Sequence, residues 1–144
     1  MKPQMSSSDI IRTAVKFQSP GMSFEEAYKK LAAEINLPGT QFFRQGNTLF
    51  IIHPVPEDKR IGFFRALNAD DGRSYLENCE EFTKAAYALG FDQLLTQFKD
   101  PSLINIFRYV GRNQPANMGY EVRKTEDGQY QVTVKLGPPR EFRE

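Results

Sequence analysis

The amino-acid sequence predicts one α+β domain. Helical and alternating apolar patterns are interleaved along its 144 residues, and three consecutive strand patterns precede the most regular helical one. A chain of this length buries about 70% of its unfolded surface, enough for a hydrophobic core. The division expected is a polar N-terminal tail over 1–9, a domain over 10–136 and a charged C-terminal tail over 137–144.

After the tail, Ile10, Ile11, Ala14, Val15 and Phe17 form a short apolar segment closed by Ser19, Pro20 and Gly21, which reads as a strand. Ser23 followed by Glu26 is a capping-box pattern. Phe24, Ala27, Tyr28, Leu31, Ala32 and Ile35 then recur at helical spacing up to Leu37, before Pro38 and Gly39. Gln41 to Arg44 and Thr48 to Val55 flank a Gln45-Gly46-Asn47 turn and predict a hairpin. Leu49, Phe50, Ile51 and Ile52 suit a strand buried on both faces. A polar connection, Pro56 to Arg60, leads to a third antiparallel strand over Ile61 to Leu67, and Asn68 to Gly72 is a loop signal.

Ser74 as N-cap opens the clearest helix, with Glu77 three residues on and Tyr75, Cys79, Phe82, Ala86 and Leu89 on its inner face. Gly90 is its stop. Phe91 to Phe98 reads as a strand, and Asp100-Pro101-Ser102 opens a helix with inner face Leu103, Ile106, Phe107 and Val110. Gly119 to Thr125 and Gln129 to Leu136 flank Glu126-Asp127-Gly128 as a second hairpin, in which Tyr130, Val132, Val134 and Leu136 alternate with polar residues.

Nineteen basic and eighteen acidic residues give a net charge of +1. No global field therefore draws the chain to nucleic acid or an anionic membrane. One cysteine and one histidine allow no intramolecular disulfide, and no metal site is expected. Neither a secretory signal nor a run long enough to span a bilayer is read.

The order of elements resembles the GNAT-type N-acetyltransferase fold. The resemblance runs from Ile10 to Leu136 and is sharpest at Leu89-Gly90-Phe91-Asp92, at Asn105, Phe107 and Tyr109, and at Gly119-Tyr120. It implies a mixed, mostly antiparallel central sheet flanked by about three helices. Members of that family that bind acetyl coenzyme A carry a glycine-rich loop before the central helix, whose backbone amides hold the diphosphate. The matching stretch here, Asn68-Ala69-Asp70-Asp71-Gly72-Arg73-Ser74, has one glycine and two carboxylates, and carboxylates repel a diphosphate.

Asp127-Gly128-Gln129-Tyr130-Gln131-Val132 is similar to an ending found in small accessory and internal virion proteins of short-tailed bacteriophages. That resemblance implies a non-catalytic phage accessory or virion-assembly protein acting by protein–protein binding, without a cofactor. Its partners would be other phage or host proteins or a second copy of itself, without membrane or nucleic acid, and its place the host cytoplasm or the virion. The alternative implied by the fold is a divergent N-acetyltransferase. Gly72, Arg73, Ser74 and Asn105 would then hold acetyl coenzyme A, the pantetheine arm would lie between strands around Phe64 and Leu94, Tyr109 would be the general acid, and His53 or an ordered water would be the general base.

Each of these residues also has a structural explanation. His53 suits a strand-end histidine bonded to a loop, Tyr109 a ring packed on a sheet edge, Cys79 a small buried apolar residue, and Asp70-Asp71 a solvated turn. The adjacent pairs Phe42-Phe43 and Phe63-Phe64 place one ring on each face of a strand, so one of each pair meets a covering helix or lies exposed. Arg108, Arg112, Arg123 and Lys124 read as a mixed-charge face, because Glu121, Glu126 and Asp127 interleave with them.

Overall fold

The computed structural model describes residues 4–18, 21–99, 104 and 117–137. Contacts along the chain divide it into two compact units, Met1–His53 with Arg65–Asn78, and Pro54–Phe64 with Cys79–Glu144. The elements in chain order are α1 (Ser7–Gln18), α2 (Phe24–Ile35), β1 (Gln41–Gln45), β2 (Thr48–Val55), β3 (Asp58–Asn68), α3 (Gly72–Ala88), β4 (Gln93–Phe98), β5 (Asn117–Lys124) and β6 (Tyr130–Leu136). The strands hydrogen-bond in the order β1-β2-β3-β4-β6-β5. Among the described residues, helices α1 to α3 and the mixed sheet match the α+β class read from the sequence. Of the helix expected after Asp100-Pro101-Ser102, Ile104 alone is among the described residues, and it is helical.

The first unit corrects one expectation. Ile10 to Phe17 lies in a helix, α1, that begins at Ser7 inside the expected tail. Its start is set by Ser6, whose hydroxyl accepts from the Asp9 N–H at 3.1 Å while its carbonyl accepts from Ile10 N at 3.0 Å. Ile10, Ile11, Ala14 and Val15 fall at i, i+1, i+4 and i+5, one face of a 3.6-residue period, and all four are buried while Arg12 and Lys16 are exposed. They pack with Ala27 and Leu31 of α2 and with Leu49, Ile51 and Leu67 into one apolar cluster. Arg12 also lies over the Phe24 ring, 4.4 Å from its centroid.

Helix α2 follows its expected capping. The Ser23 hydroxyl accepts from Glu26 N at 3.1 Å, and the helix stops at Ile35 with Asn36 as C-cap. The β1–β2 hairpin has the register Gln41↔Ile52 through Gln45↔Thr48. Leu49, Phe50, Ile51 and Ile52 are each 0% exposed, so β2 is buried on both faces as expected. Phe43 stacks on Phe50 with ring centroids 5.9 Å apart. Phe42, its neighbour in sequence, is exposed.

In the second unit, Asp58 to Arg60 already belong to β3 rather than to a polar connection. Phe64 packs against Phe82 of α3 at 5.1 Å between centroids, whereas Phe63 is exposed. Both phenylalanine pairs are thus divided between a packed ring and an open one. Of the inner face expected for α3, Phe82 and Ala86 are buried, Tyr75 and Cys79 are half-buried, and Leu89 is exposed. Leu89 lies past the last turn of α3. Gly90 (φ +103°) takes the left-handed position, with Gly90 N donating to Tyr87 O at 3.0 Å and Phe91 N to Ala86 O at 3.1 Å. Those two bonds are the Schellman pattern, which turns the chain so that Phe91 is buried and Leu89 is not.

β4 begins at Gln93 and pairs in parallel with β3 over Ile61↔Gln93, Gly62↔Leu94 and Phe63↔Leu95. β6 pairs antiparallel with β4 on one side and β5 on the other. Val132, Val134 and Leu136 supply its buried face. No helix among the described residues is long and apolar enough to cross a membrane.

Candidate functional site

The junction of β3 and α3 is where a phosphate loop would lie, and its geometry follows from its two aspartates. Asp71 is the N-cap of α3. Its carbonyl accepts from Tyr75 N at 2.8 Å and its Oδ1 from Ser74 N at 2.9 Å. Ser74, expected as the cap, is instead the third residue of the helix. A carboxylate can occupy this place because it satisfies an N–H that lacks an intrahelical acceptor and because its charge opposes the positive end of the helix dipole. Gly72 has open space where a Cβ would lie and no positive φ, so the turn makes no use of its glycine.

Asp70 points into a ladder of amides. Its Oδ2 accepts from Asn47 N at 2.9 Å and Asn78 Nδ2 at 2.7 Å, and its Oδ1 from Asn47 Nδ2 at 3.1 Å. Asn78 Nδ2 also donates to Thr48 Oγ1 at 2.9 Å, and Thr48 Oγ1 to Asn68 Oδ1 at 2.8 Å. Asn68 closes the turn by accepting from Asp70 N and donating to Asp70 O, both at 3.0 Å. Asn47, Thr48 and Asn78 are buried, and buried amides without partners would be costly. The aspartates are therefore structural members of the junction, and Asp70 is bonded to buried amides rather than solvated as a turn residue.

A pocket of about 710 Å³ opens here, lined among others by Gln4, Arg44, Asp70, Ser74, Glu77 and Asn78. Its one guanidinium is turned toward the hairpin, with Arg44 Nε donating to Gly46 O and Nη2 to Asn47 Oδ1, each at 2.8 Å. Two carboxylates against one engaged cation give it no character of an anion site.

His53 is placed elsewhere. Thr40 Oγ1 lies 2.9 Å from its Nδ1, and Glu34 Oε2 lies 3.3 Å from its Nε2. Its hydrogen-bond partners among the described residues are thus a loop hydroxyl, as the structural explanation expected, and a helix carboxylate that the sequence did not indicate. Glu34 is in turn held by Arg65, with Nε to Oε2 at 2.9 Å and Nη2 to Oε1 at 2.5 Å. Gly72, Arg73 and Ser74 are together in the first turn of α3, apart from this network. Tyr109 and Asn105 lie outside the described residues, as do Arg108 and Arg112.

Asn47, Asn78, Thr40 and Glu34 were not singled out by sequence. The amide ladder left one signal there, a concentration of Asn and Asp at the hairpin turn and the end of β3. Nothing in the local pattern marked Glu34, which looked like an ordinary exposed residue of α2.

Solved structures similar to this chain include acetyltransferases. One is a chimera of a spermidine N-acetyltransferase from Vibrio cholerae and hSSAT, at 12% identity and a TM-score of 0.62 over 93% of this chain and 93% of that one. Another is a ribosomal-protein-alanine N-acetyltransferase from Brucella melitensis, at 11% identity and 0.56 over 94% and 98%. A third, a GNAT-family acetyltransferase from Streptococcus pneumoniae, has 13% identity and 0.51 over 93% and 96%. No protein-family model matches the chain, and no curated protein matches it. The fold is GNAT-like, and at these identities the likeness is one of fold alone.

Proposed function

We propose that this chain uses an acetyltransferase-like scaffold to bind other proteins and does not transfer acetyl groups. The observation that carries the reading is Asp71 Oδ1 on the N–H of Ser74 at 2.9 Å. In an anion-binding helix terminus that N–H faces the ligand. Here a carboxylate takes its place, and a diphosphate would have to displace it against like charge.

The finer role proposed is that of a bacteriophage accessory or virion-assembly protein in the host cytoplasm or the virion, binding phage or host proteins or a second copy. The similarity of Asp127 to Val132 to such proteins supports it, together with the exposed rings of Phe42 and Phe63, which suit protein contact better than solvent. A second reading, a divergent acetyl coenzyme A-dependent N-acetyltransferase, is favoured by the parallel pairing of β3 and β4. That pairing covers three residue pairs, while Thr96 to Phe98 of β4 continue with β6 as their partner.

Calorimetric titration with acetyl coenzyme A, with free coenzyme A for comparison, separates the two. Absence of heat is expected for the wild type. Micromolar binding, about −8 kcal/mol, would overturn the binding-protein reading, and slow turnover by Tyr109→Phe with intact cofactor affinity would then locate the general acid. Asp71→Gly preserves most of the capping while removing the carboxylate. A gain of cofactor binding in that variant supports the view that the cap excludes the diphosphate.

A further inference from the structure

The cluster around His53 has the connectivity of an activated nucleophile. Glu34 is bound through both carboxylate oxygens by Arg65, and an ionised carboxylate can only accept, so in the neutral imidazole the proton of His53 sits on Nε2, which donates to Glu34 Oε2. The lone pair of Nδ1 is then directed at Thr40 Oγ1, 2.9 Å away, and the Thr40 hydroxyl donates to it. Hydroxyl, imidazole and carboxylate thus stand in series, the arrangement in which a base is oriented by a third group and polarises a nucleophile. Four elements contribute, Glu34 from α2, Thr40 from the loop after it, His53 from β2 and Arg65 from β3, all within the first compact unit. The His53 side chain is 26% exposed and Thr40 is half-buried, so a small reagent can reach the pair. Among the described residues, Glu34 is the charged group bonded to the imidazole, and Arg65 is bonded to Glu34.

We propose that Thr40 is an acyl-acceptor hydroxyl, with His53 as its general base and Glu34 as a positioning residue. Thr40 Oγ attacks the carbonyl carbon of an activated ester or thioester, and its proton passes to His53 Nδ1. The new ester bond to Thr40 forms as the bond to the alkoxide or thiolate leaving group breaks, and the imidazolium returns the proton to that group. The Thr40 N–H donates to Leu37 O at 3.2 Å and so supplies no oxyanion donor. The cluster accordingly suits good leaving groups and one acylation per chain rather than hydrolytic turnover. The inference is independent of whether the α3 terminus holds a cofactor.

The test incubates the full chain with p-nitrophenyl acetate and reads acetylation of each peptide by mass spectrometry over time. Expected are an acetyl group on Thr40, retention of labelling in Thr40→Ser, its loss in Thr40→Val, and a rate about 100-fold lower at that site in His53→Gln. Glu34→Ala should slow labelling of Thr40, and Glu34→Gln, which keeps an oxygen for His53 Nε2, should restore part of it; equal Thr40 labelling in the wild type and Glu34→Ala would remove the positioning role. Variants are compared at matched circular dichroism. Acetyl groups confined to lysines, or equal Thr40 labelling in the wild type and His53→Gln, would overturn the proposal.

Discussion

Asn78 Nδ2 donates to Asp70 Oδ2 at 2.7 Å across the start of α3, and the same amide nitrogen holds Thr48 Oγ1 at 2.9 Å. One side chain of the second helical turn therefore secures both the loop before the helix and the first residue of β2. Asn78→Ala leaves a buried hydroxyl and a carboxylate short of a donor and should lower stability by about 1–3 kcal/mol. Urea denaturation at constant m-value measures it. A loss below about 0.5 kcal/mol would mean that water replaces the amide at both places.

Gly46 sits against the same amide. Its φ is +58°, and a Cβ there would lie 2.6 Å from Asn78 Oδ1. Asn78 is held by its own hydrogen bonds and has little freedom to withdraw. Gly46→Ala should cost about 2 kcal/mol from left-handed strain and collision together. In an Asn78→Ala background the collision is removed, so the cost should fall toward about 1 kcal/mol, and a double-mutant cycle tests the coupling.

Arg65 grips Glu34 side-on, a geometry that lysine cannot reproduce. The Glu34 side chain is 17% exposed and that of Arg65 is 37%, between the buried and the surface case. After discounting for solvent on the arginine side, Arg65→Lys should cost about 1 kcal/mol by thermal unfolding. The loss should shrink in a Glu34→Gln background.

Asp127, in the β5–β6 turn, has its carboxyl held below the usual value of 3.8, first by the Thr125 hydroxyl and then by backbone N–H groups and Lys99, against a desolvation that acts the other way. A depressed carboxyl contributes stability above its unfolded pKa, and the contribution is lost as pH falls through the folded one. The window therefore lies below 3.8. Thr125→Val should raise the Asp127 midpoint toward 3.8 in a carboxyl NMR titration. An unchanged midpoint would assign the shift to the backbone donors.

Much of the fold was legible because its signals are local. Ser23 and Glu26 capped α2 as their spacing required, Gly46 turned the first hairpin, Gly90 stopped α3, and alternation along β6 marked which residues would be buried. The misreading of Ile10 to Phe17 came from a short apolar run that satisfies two periods at once. Ser6 and Asp9, a capping pair ahead of it, were the local evidence for a helix. Ser74 was passed over as a cap for a comparable reason: Asp71 competes for the same terminus, and its carboxylate reaches the Ser74 N–H itself.

Sequence by itself determined the α+β class, the order of most elements and the single glycine and two carboxylates of the stretch before α3. Each of these depends on neighbours within a few residues, where backbone preference and apolar period act directly. Only the tertiary structure decided that Asp70 completes a ladder with Asn47 and Asn78. It alone also brought Glu34, Thr40, His53 and Arg65 into one network. Those partners are 19 and 31 positions apart for the Glu34 contacts with His53 and Arg65. Hydrogen bonds across such separations exist only once strands and helices have packed.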